Sequence, residues 1–357
     1  MNAPIESGGD AVLVGVDGHA GRITLNRPET LNALTLEMVR LIDAALDGFE
    51  QDPSIAHVII DAAGHRAFCA GGDIRAIYDA ALSGEDGPLT FWAEEYRLDA
   101  RIARFAKPVV TIADGIVMGG GVGISAHASH RVVTERTSLA MPEVGIGFAP
   151  DVGGTWLLSR APGETGTHIA LTAGRLNPAD ALYAGFADHH VPSIAINALI
   201  ADLAIDSVAA SLARHITEPA PGALKAGREW IDVAYRANTV ADIIDNLRKG
   251  GDDAGKAATQ ILGNSPTSVT VALEALRRGR ELTSLEECLE MEYRISATFF
   301  AGSEFVEGIR AAVVDKDRNP RWDPPDLAAV TPDQVASYFA PRPDDLDLAS
   351  HERSHHS

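Results

Sequence analysis

The sequence has 357 residues, of which 46% are hydrophobic and 22% are charged, and its formal net charge is -20. This length allows one large domain or two ordinary ones, and the composition is that of a globular protein. The negative charge argues against a nucleic-acid partner, although local basic residues can still bind an anionic ligand. The two cysteines, Cys69 and Cys288, have neither metal-binding nor disulfide spacing, so we expect a reducing compartment.

The ends of the chain and its apolar runs bear on location. No apolar run reaches the roughly 18 residues that a membrane helix needs, so no membrane partner is expected. The first ten residues, MNAPIESGGD, contain no basic region and no apolar signal core, which predicts a cytoplasmic protein. Residues 331–357 end in the run HERSHHS, and we expect a mobile, acidic and His-rich tail that binds no metal.

The first elements in chain order alternate between strand and helix patterns. Runs of β-branched and apolar residues predict strands at 11–16, 22–25 and 57–60. Between the last two, apolar residues at helical spacing predict a helix from Leu36 to Phe49, for which Thr35 is the expected N-cap.

Two glycine-rich turns follow. The first lies in GHRAFCAGGDIRAIYDA, where residues 71–72 make the turn and Asp73 is placed to cap a helix beginning at Ile74. The second lies in VVTIADGIVMGGGVGISAHA, between a strand at 109–112 and a short helix from about residue 122. Backbone N–H groups exposed at such turns can bind developing negative charge, and glycine permits a close approach. The alternative is a tight turn without a ligand, and neither turn matches a nucleotide-binding fingerprint.

The segment MPEVGIGFAPDVGGTW, residues 141–156, carries two carboxylates. Glu143 and Asp151 are eight positions apart among apolar and glycine residues, with no lysine or arginine between them. Desolvation raises the pKa of a carboxyl, and a second carboxylate nearby raises it further. Paired acids of this kind are common at catalytic sites. The alternative is that Glu143 follows Pro142 into a turn and that Asp151 caps a helix after Pro150.

The character of the chain changes near residue 197. Strands that alternate with helices predict a parallel-rich α/β domain over residues 1–196. Amphipathic helical patterns dominate residues 197–330, where Ser265 precedes a proline at a helix start and Ser284 forms a capping box with Glu287.

Five motifs together resemble one family, the crotonase, or enoyl-CoA hydratase/isomerase, superfamily. They are LNRPETLNAL (25–34), AFCAGGDI (67–74), GIVMGGGVG (115–123), MPEVGIGFAPDVGG (141–154) and EGIRAAVVDKDRNPRW (307–322). The resemblance extends from about residue 11 to 325 and implies a crotonase-like α/β spiral of ββα repeats with a C-terminal helical region. It also implies an acyl-CoA thioester as substrate and no separate cofactor. Superfamily members are often trimers, so a homo-oligomer is possible and its size is left open.

The resemblance also implies roles for individual residues. The backbone N–H groups that hold the thioester oxygen would be those of Gly72 and Gly120. Contacts to the rest of the substrate are implied for Ala70, Asp73, Ile74 and Gly119. Glu95 would line the acyl pocket, with a solvated helix face as the alternative. The basic candidates for the CoA phosphates are Arg27, Arg75 and Lys316.

The chain departs from the hydratases of this family in two places. Hydratases carry two catalytic glutamates; one matches Glu143, but the other would fall at Gly123. Asp151 stands where hydratases usually have glycine. These features, the motifs EEY (94–96), SPTS (265–268) and MEYR (291–294), and an extra stretch at about 207–260 resemble the branch that hydrolyses 3-hydroxyisobutyryl-CoA in valine breakdown.

The expected activity is therefore thioester hydrolysis, with 3-hydroxypropionyl-CoA as a possible second substrate. Glu143 would be either a nucleophile or a general base, while Asp151 would activate water, orient it, or contact the substrate hydroxyl. The alternatives are an enoyl-CoA hydratase or isomerase and, in another class, a non-catalytic acyl-CoA-binding protein.

Overall fold

The structure, a computed structural model, describes residues 11–348. The predicted N-terminal features and the His-rich run at 351–357 lie outside the described residues. Within them, no helix is long and apolar enough to cross a membrane.

The chain forms two compact units: the first comprises the chain up to Gly72, Arg97–Leu139 and Leu176–Gly222, and the second Asp73–Tyr96, Ala140–Arg175 and the chain from Ala223 onward. The units therefore interleave in sequence instead of dividing at residue 196, because each is built from segments far apart along the chain.

The first unit contains nearly all of the β-structure. The strands are β1 (Val12–Asp17), β2 (Ala20–Leu25), β3 (His57–Ala62), β4 (Ala67–Cys69), β5 (Val109–Ala113), β6 (Ile116–Met118), β7 (His130–Val133), β8 (Ser138–Ala140), β9 (Arg175–Leu176) and β10 (His189–His190). One sheet has the order β1-β2-β3-β5-β7-β10 and the other the order β4-β6-β8-β9. From β3 to β8, the first strand of each successive pair enters the larger sheet and the second enters the smaller one, which is the ββα progression implied by the resemblance.

The first unit also contains several helices. They are α1 (Leu36–Gln51), α4 (Gly120–Ala126), α7 (Pro178–Tyr183), α8 (Ile196–Leu203) and α9 (Val208–Ala213), and α3 (Gly87–Arg104) ends in this unit. The predicted cap of α1 is confirmed, because the Thr35 side chain accepts a hydrogen bond from the Met38 N–H at 3.2 Å.

The sheet has a continuous aliphatic core. Burying each Val, Leu or Ile side chain of this core contributes about 1.5–3 kcal/mol, so the larger sheet is held firmly against α8 and α9. The core residues are Ala20, Ile59, Val110, Ile112, Val132, Val191, Leu199, Ile200, Leu203, Val208 and Leu212.

The second unit is predominantly helical. Its helices are α2 (Ile74–Ser83), the first part of α3, α5 (Gly154–Arg160), α6 (Thr165–Thr172), α10 (Leu224–Tyr235), α11 (Val240–Arg248), α12 (Asp252–Gly263), α13 (Pro266–Gly279), α14 (Leu285–Ala301), α15 (Glu304–Ile309) and α16 (Pro332–Ser337). Both predicted starts are confirmed: Ser265 accepts from the Ser268 N–H, and Ser284 from the Glu287 N–H.

The segment from residue 331 to 348 corrects one expectation. We predicted a mobile tail there, but α16 forms, and Tyr338, Phe339, Leu346 and Leu348 are buried. Arg294 also pairs with Asp345 at 2.9 Å. The acidic composition predicted a mobile segment, but four of its apolar side chains are buried, and burial of apolar surface favours an ordered chain.

Candidate active site

The two glycine turns lie close together in the first unit. Gly71 has a φ of +101°, and a Cβ added to it would lie 3.1 Å from the Met118 carbonyl oxygen and 3.7 Å from the Gly120 nitrogen. The Leu34 N–H donates to the Gly71 carbonyl oxygen at 2.8 Å, and Leu34 forms a β-bridge with Gly72. The backbone of the first turn is thus held from one side, while the second turn passes within van der Waals reach of it.

The second turn differs slightly from its prediction. Helix α4 begins at Gly120 and not near Val122. Gly119, with φ 48° and ψ −123°, has a non-helical backbone and is the residue immediately before the first helical turn. A Cβ on Gly121 would lie 2.3 Å from the Cys69 carbonyl oxygen, so this position requires glycine. Ala70 is held beside it by a bond from its N–H to the Leu31 carbonyl oxygen at 3.1 Å.

The other residues predicted to contact CoA lie on several different segments of the chain. Asp73 caps α2 as predicted, accepting from the Ala76 N–H, and Ile74 is the first residue of that helix. Arg27 is half-buried and donates to the Ala33 carbonyl oxygen at 2.8 Å. The exposed candidates are Arg75, whose side chain is 57% exposed, and Lys316. Their phosphate contacts stay predictions.

A cluster of four buried carboxylates occupies the second unit. Glu95 lies on α3, Glu143 begins a short 3-10 helix at Glu143–Ile146, Asp151 lies in the loop before α5, and Glu292 lies on α14. Their exposed fractions are 1%, 5%, 6% and 0%, respectively. The alternative for Glu95, a solvated helix face, is therefore wrong.

Asp151 is bonded within this cluster and does not cap a helix. The Tyr96 hydroxyl donates to its Oδ2 at 2.8 Å, and the same hydroxyl lies 2.8 Å from Ser296 Oγ. Helix α5 has Gly153 as its N-cap, without a side-chain bond from Asp151. The alternative prediction for Asp151, that it caps a helix, is thus wrong. The alternative prediction for Glu143, that it follows Pro142 into a turn, agrees with the structure, because Glu143 begins a 3-10 helix there.

Two carboxylate oxygens of this cluster have no hydrogen-bond partner among the described residues. They are Oε1 of Glu95 and Oε2 of Glu143. A buried polar atom without a partner costs free energy, so such atoms are frequent where a ligand supplies the missing bond.

The electrostatics of the cluster centre on Asp151. Burial raises the pKa of all four carboxyls, and the charge of Asp151 further raises those of Glu95, Glu143 and Glu292. The pKa of Asp151 rises to about 7 although the bond from Tyr96 lowers it. The pKa of Glu292 rises to about 8. Carboxyls that exchange protons near neutral pH suit general acid–base chemistry.

Sequence reasoning missed three members of this cluster, namely Tyr96, Glu292 and Ser296. Tyr96 entered the sequence analysis only as part of the motif EEY (94–96), without a role of its own, but its hydroxyl joins two helices to Asp151. A signal existed for the other two: Cys288, Glu292 and Ser296 are spaced four apart on the apolar stripe of α14. An acid on such a stripe is unusual enough to mark a site. Within residues 11–348, no group of three or more His, Cys, Asp or Glu side chains is arranged to hold a metal.

Comparisons with known proteins agree on one family. A family model described as Enoyl-CoA hydratase/isomerase matches residues 20–339. The mitochondrial 3-hydroxyisobutyryl-CoA hydrolase of Xenopus tropicalis is 43% identical over 334 residues, which cover 90% of this chain and 86% of that protein. The protein of the same name from Homo sapiens is 41% identical over 342 residues, which cover 92% of this chain and 88% of that protein.

Two solved structures are similar over nearly their whole length. A carnitinyl-CoA dehydratase from Mycobacterium thermoresistibile is 48% identical, with a TM-score of 0.92, and the match covers 96% of this chain and 99% of that chain. An enoyl-CoA hydratase from Rhodobacter sphaeroides 2.4.1 is 44% identical, with a TM-score of 0.89, and covers 94% and 99%. The predicted crotonase-like α/β fold is confirmed. This chain belongs to the enoyl-CoA hydratase/isomerase family of the crotonase superfamily.

Proposed function

We propose that this protein hydrolyses the thioester of 3-hydroxyisobutyryl-CoA to the free acid and CoA, a step of valine breakdown. The observation that carries the proposal is the buried pair Glu143 and Asp151, with Asp151 held by the Tyr96 hydroxyl, in a chain that has Gly123 where hydratases carry a glutamate. The hydrolase name of relatives such as the one from Xenopus tropicalis supports the same reaction.

Hydrolysis forms a C–O bond at the acyl carbon, breaks the C–S bond and delivers a proton to the leaving thiolate. We assign the stabilisation of the oxyanion to the N–H groups of Gly72 and Gly120; removing one such donor typically costs roughly 10²–10³ in rate. We assign the nucleophilic or basic role to Glu143, whose Oε2 is buried without a partner among the described residues. Asp151, with a pKa of about 7, can hold and release the proton that the thiolate needs.

The substrate contacts complete the assignment. Glu95 has a free Oε1 among the described residues, which suits a hydrogen bond from the 3-hydroxyl of the acyl group. 3-Hydroxypropionyl-CoA carries the same hydroxyl without the methyl branch, so we expect it to be a second substrate. Ala70, Asp73, Ile74 and Gly119 are assigned to the rest of the CoA ester, and Arg27, Arg75 and Lys316 to its phosphates.

A second candidate function is hydration or dehydration of an acyl-CoA. The names of the two similar solved structures, a dehydratase and a hydratase, favour it. Against it stands Gly123, because proton transfer at two sites needs a second group and glycine offers none.

The test is release of the CoA thiol from 3-hydroxyisobutyryl-CoA, followed with a thiol-reactive dye, with hydration of crotonyl-CoA measured in parallel. Thiol release without hydration supports the proposal, and the reverse result replaces it with the second candidate. Tight binding of the ester with no turnover of either substrate would indicate a non-catalytic acyl-CoA-binding protein. The Glu143→Gln variant serves as the background control.

A single turnover in H₂¹⁸O with enzyme in excess separates the two roles left open for Glu143. A general base directs water to the acyl carbon, so the label enters the free acid. A nucleophile forms a mixed anhydride with release of CoA, and water that opens it at the Glu143 carbonyl leaves the label on the enzyme. Label on the peptide carrying Glu143, read by mass spectrometry, therefore establishes the nucleophile. Label in the free acid alone fits a general base and also a mixed anhydride opened at its acyl carbonyl, and trapping the Glu143 anhydride with hydroxylamine, as a hydroxamate on that peptide, distinguishes these two.

Compartment and assembly stay predictions. The sequence predicts a cytoplasmic protein, whereas the relatives from Xenopus tropicalis and Homo sapiens are named mitochondrial. The possible homo-oligomer is checked by light scattering on the purified chain.

A further inference from the structure

Glu292 is a fully buried glutamate of α14 that has no part in the reaction as proposed. Both of its oxygens are occupied by backbone donors. The Gly153 N–H donates to Oε2 at 2.7 Å, and the Thr155 N–H donates to Oε1 at 2.8 Å. These two donors lie 139 and 137 residues away in the sequence, at the start of α5.

The start of α5 needs this support for two reasons. Its N-cap is glycine, which has no side chain to accept from the unpaired N–H groups of the first helical turn. In addition, Val152 has a φ of +53° and Gly153 a φ of +75°. A β-branched residue in the left-handed region is strained and persists only where its surroundings hold it. The strained residue directly follows Asp151.

We propose that Glu292 is a positioning residue: by accepting two backbone hydrogen bonds it holds the strained turn at residues 151–155 and so aims the carboxyl of Asp151. This inference rests on the proposed thioester hydrolysis only for its kinetic consequence. Its structural content, that Glu292 holds the turn, stands on the contacts alone.

Glu292 also acts on its neighbours through charge. When it is ionised, as it is above its pKa of about 8, its negative charge raises the pKa of Glu143, after burial and the charge of Asp151. The thiol of Cys288 lies 3.8 Å from Oε1 and adds a weak donor. The titratable and charged groups around Glu292 are Asp151 in the turn, Glu143 on the 3-10 helix, Tyr96 on α3, Cys288 on α14 and Arg160 on α5, which acts on Cys288.

The first variant is Glu292→Gln, which keeps the shape but turns one acceptor into a donor that faces a backbone N–H. We expect kcat to fall about 10- to 100-fold, the cost of one unsatisfied buried bond. KM for the ester should change less than about threefold, because Glu292 is not assigned to the substrate. The limb of the pH–rate profile that belongs to Glu143 should move to lower pH, since a charge that opposed its ionisation is gone.

A second variant, Glu292→Asp, separates position from charge and also serves if the first does not fold. It keeps the negative charge but is one methylene too short for both bonds. We expect kcat to fall while the pH limb of Glu143 stays in place. The matched control is Glu287→Gln, an exposed glutamate of the same helix that accepts from the Thr283 N–H at 2.8 Å. It should leave kcat and the pH profile unchanged.

Amide hydrogen exchange of the peptide covering residues 151–155 tests the inference whether or not the wild type hydrolyses the ester. Faster exchange in Glu292→Gln, but not in Glu287→Gln, is the expected result. Unchanged exchange, or a lower melting temperature with unchanged kcat and an unmoved pH limb, would overturn the inference. If the wild type releases no thiol, the proposed function fails, and the exchange result still decides the role of Glu292.

Discussion

The half-buried Glu164 and the buried acidic cluster around Asp151, both in the helical unit, have opposite surroundings. Glu164 accepts hydrogen bonds from Arg277 and Arg280, each at 2.8 Å, and from Thr167 at 2.6 Å. Burial alone would raise its pKa, but the bonds from these partners outweigh burial and lower it. In the cluster around Asp151, burial dominates, and the charge of Asp151 further raises the pKa of Glu95, Glu143 and Glu292.

The difference separates a carboxylate that stabilises the fold from carboxylates that cost stability. A paired buried charge gains from its partners, and removing one partner leaves the other uncompensated. Acids that are buried without a cation lower the stability of the folded state at neutral pH. Such an arrangement is expected where the chemistry requires it. Changes in the two groups should therefore affect activity and stability in opposite ways.

The largest effect is expected for Glu143→Gln. Turnover of the ester should fall by about 10³-fold or more, because the amide is neither nucleophile nor base. The melting temperature should stay the same or rise, since a buried charge without a partner is replaced by a neutral group. Thiol release and thermal unfolding measured on one preparation check both. Turnover within tenfold of the wild type would remove Glu143 from the mechanism.

The next effect is on the pH dependence of stability. Burial raises the pKa of Asp151 from 3.8 to about 7, so the folded state binds this proton more tightly than the unfolded state. Its contribution is therefore fully present below about pH 4 and is lost as the pH rises through about 7. At about 1.36 kcal/mol for each pKa unit, the loss reaches at most about 4 kcal/mol.

Glu164 has the opposite sign, because its pKa is lowered. Its contribution is present above its ordinary pKa and is lost only as the pH falls through the lowered value. Melting temperatures of the wild type and of Asp151→Asn between about pH 5 and 8.5 test the contribution of Asp151 to the pH dependence of stability. The wild-type curve should fall toward high pH more steeply than that of the variant. Parallel curves would show that Asp151 does not carry the shift.

Glu164→Gln should reverse the pattern of Glu143→Gln. We expect a loss of about 1–3 kcal/mol in the free energy of unfolding, because two arginines lose their charged partner at a site that retains some solvent. The kcat should not change. Glu274→Gln removes the exposed pair with Arg278 and should cost less than about 1 kcal/mol. Equal losses in the two variants would contradict the assignment of Glu164 as a stabilising partner.

How far the sequence carried these conclusions depended on distance along the chain. The caps at Thr35, Asp73, Ser265 and Ser284 were predicted correctly, because each rests on a bond to a residue three positions later. The glycine turns were predicted for the same reason, since strand, turn and helix follow one another directly. The start of α4 was two residues late because the φ of Gly119 cannot be inferred from composition.

The bonds that build the acidic cluster could not be predicted from local patterns. Tyr96 reaches Asp151 over 55 residues and Ser296 over 200, and Glu292 reaches Gly153 over 139. Sequence reasoning could identify Glu143 and Asp151 because their immediate surroundings are apolar. It could not identify what holds them, because those partners come from helices that only the folded chain brings together.

The smallest expected effect sharpens the description of the cluster. Tyr96→Phe removes the hydroxyl that donates to Asp151 Oδ2 and leaves the ring in its buried position. That bond lowers the pKa of Asp151, so without it the pKa should rise above about 7. We expect the limb of the pH–rate profile that belongs to Asp151 to move up by at most about one unit, with a loss in kcat of about tenfold or less.

Ser296→Ala is the matched control, because it removes the other partner of the hydroxyl and keeps the bond to Asp151. If both variants shift the limb equally, the pKa of Asp151 is set by the cluster as a whole. If only Tyr96→Phe shifts it, one hydrogen bond separates the proton affinity of Asp151 from that of its neighbouring acids.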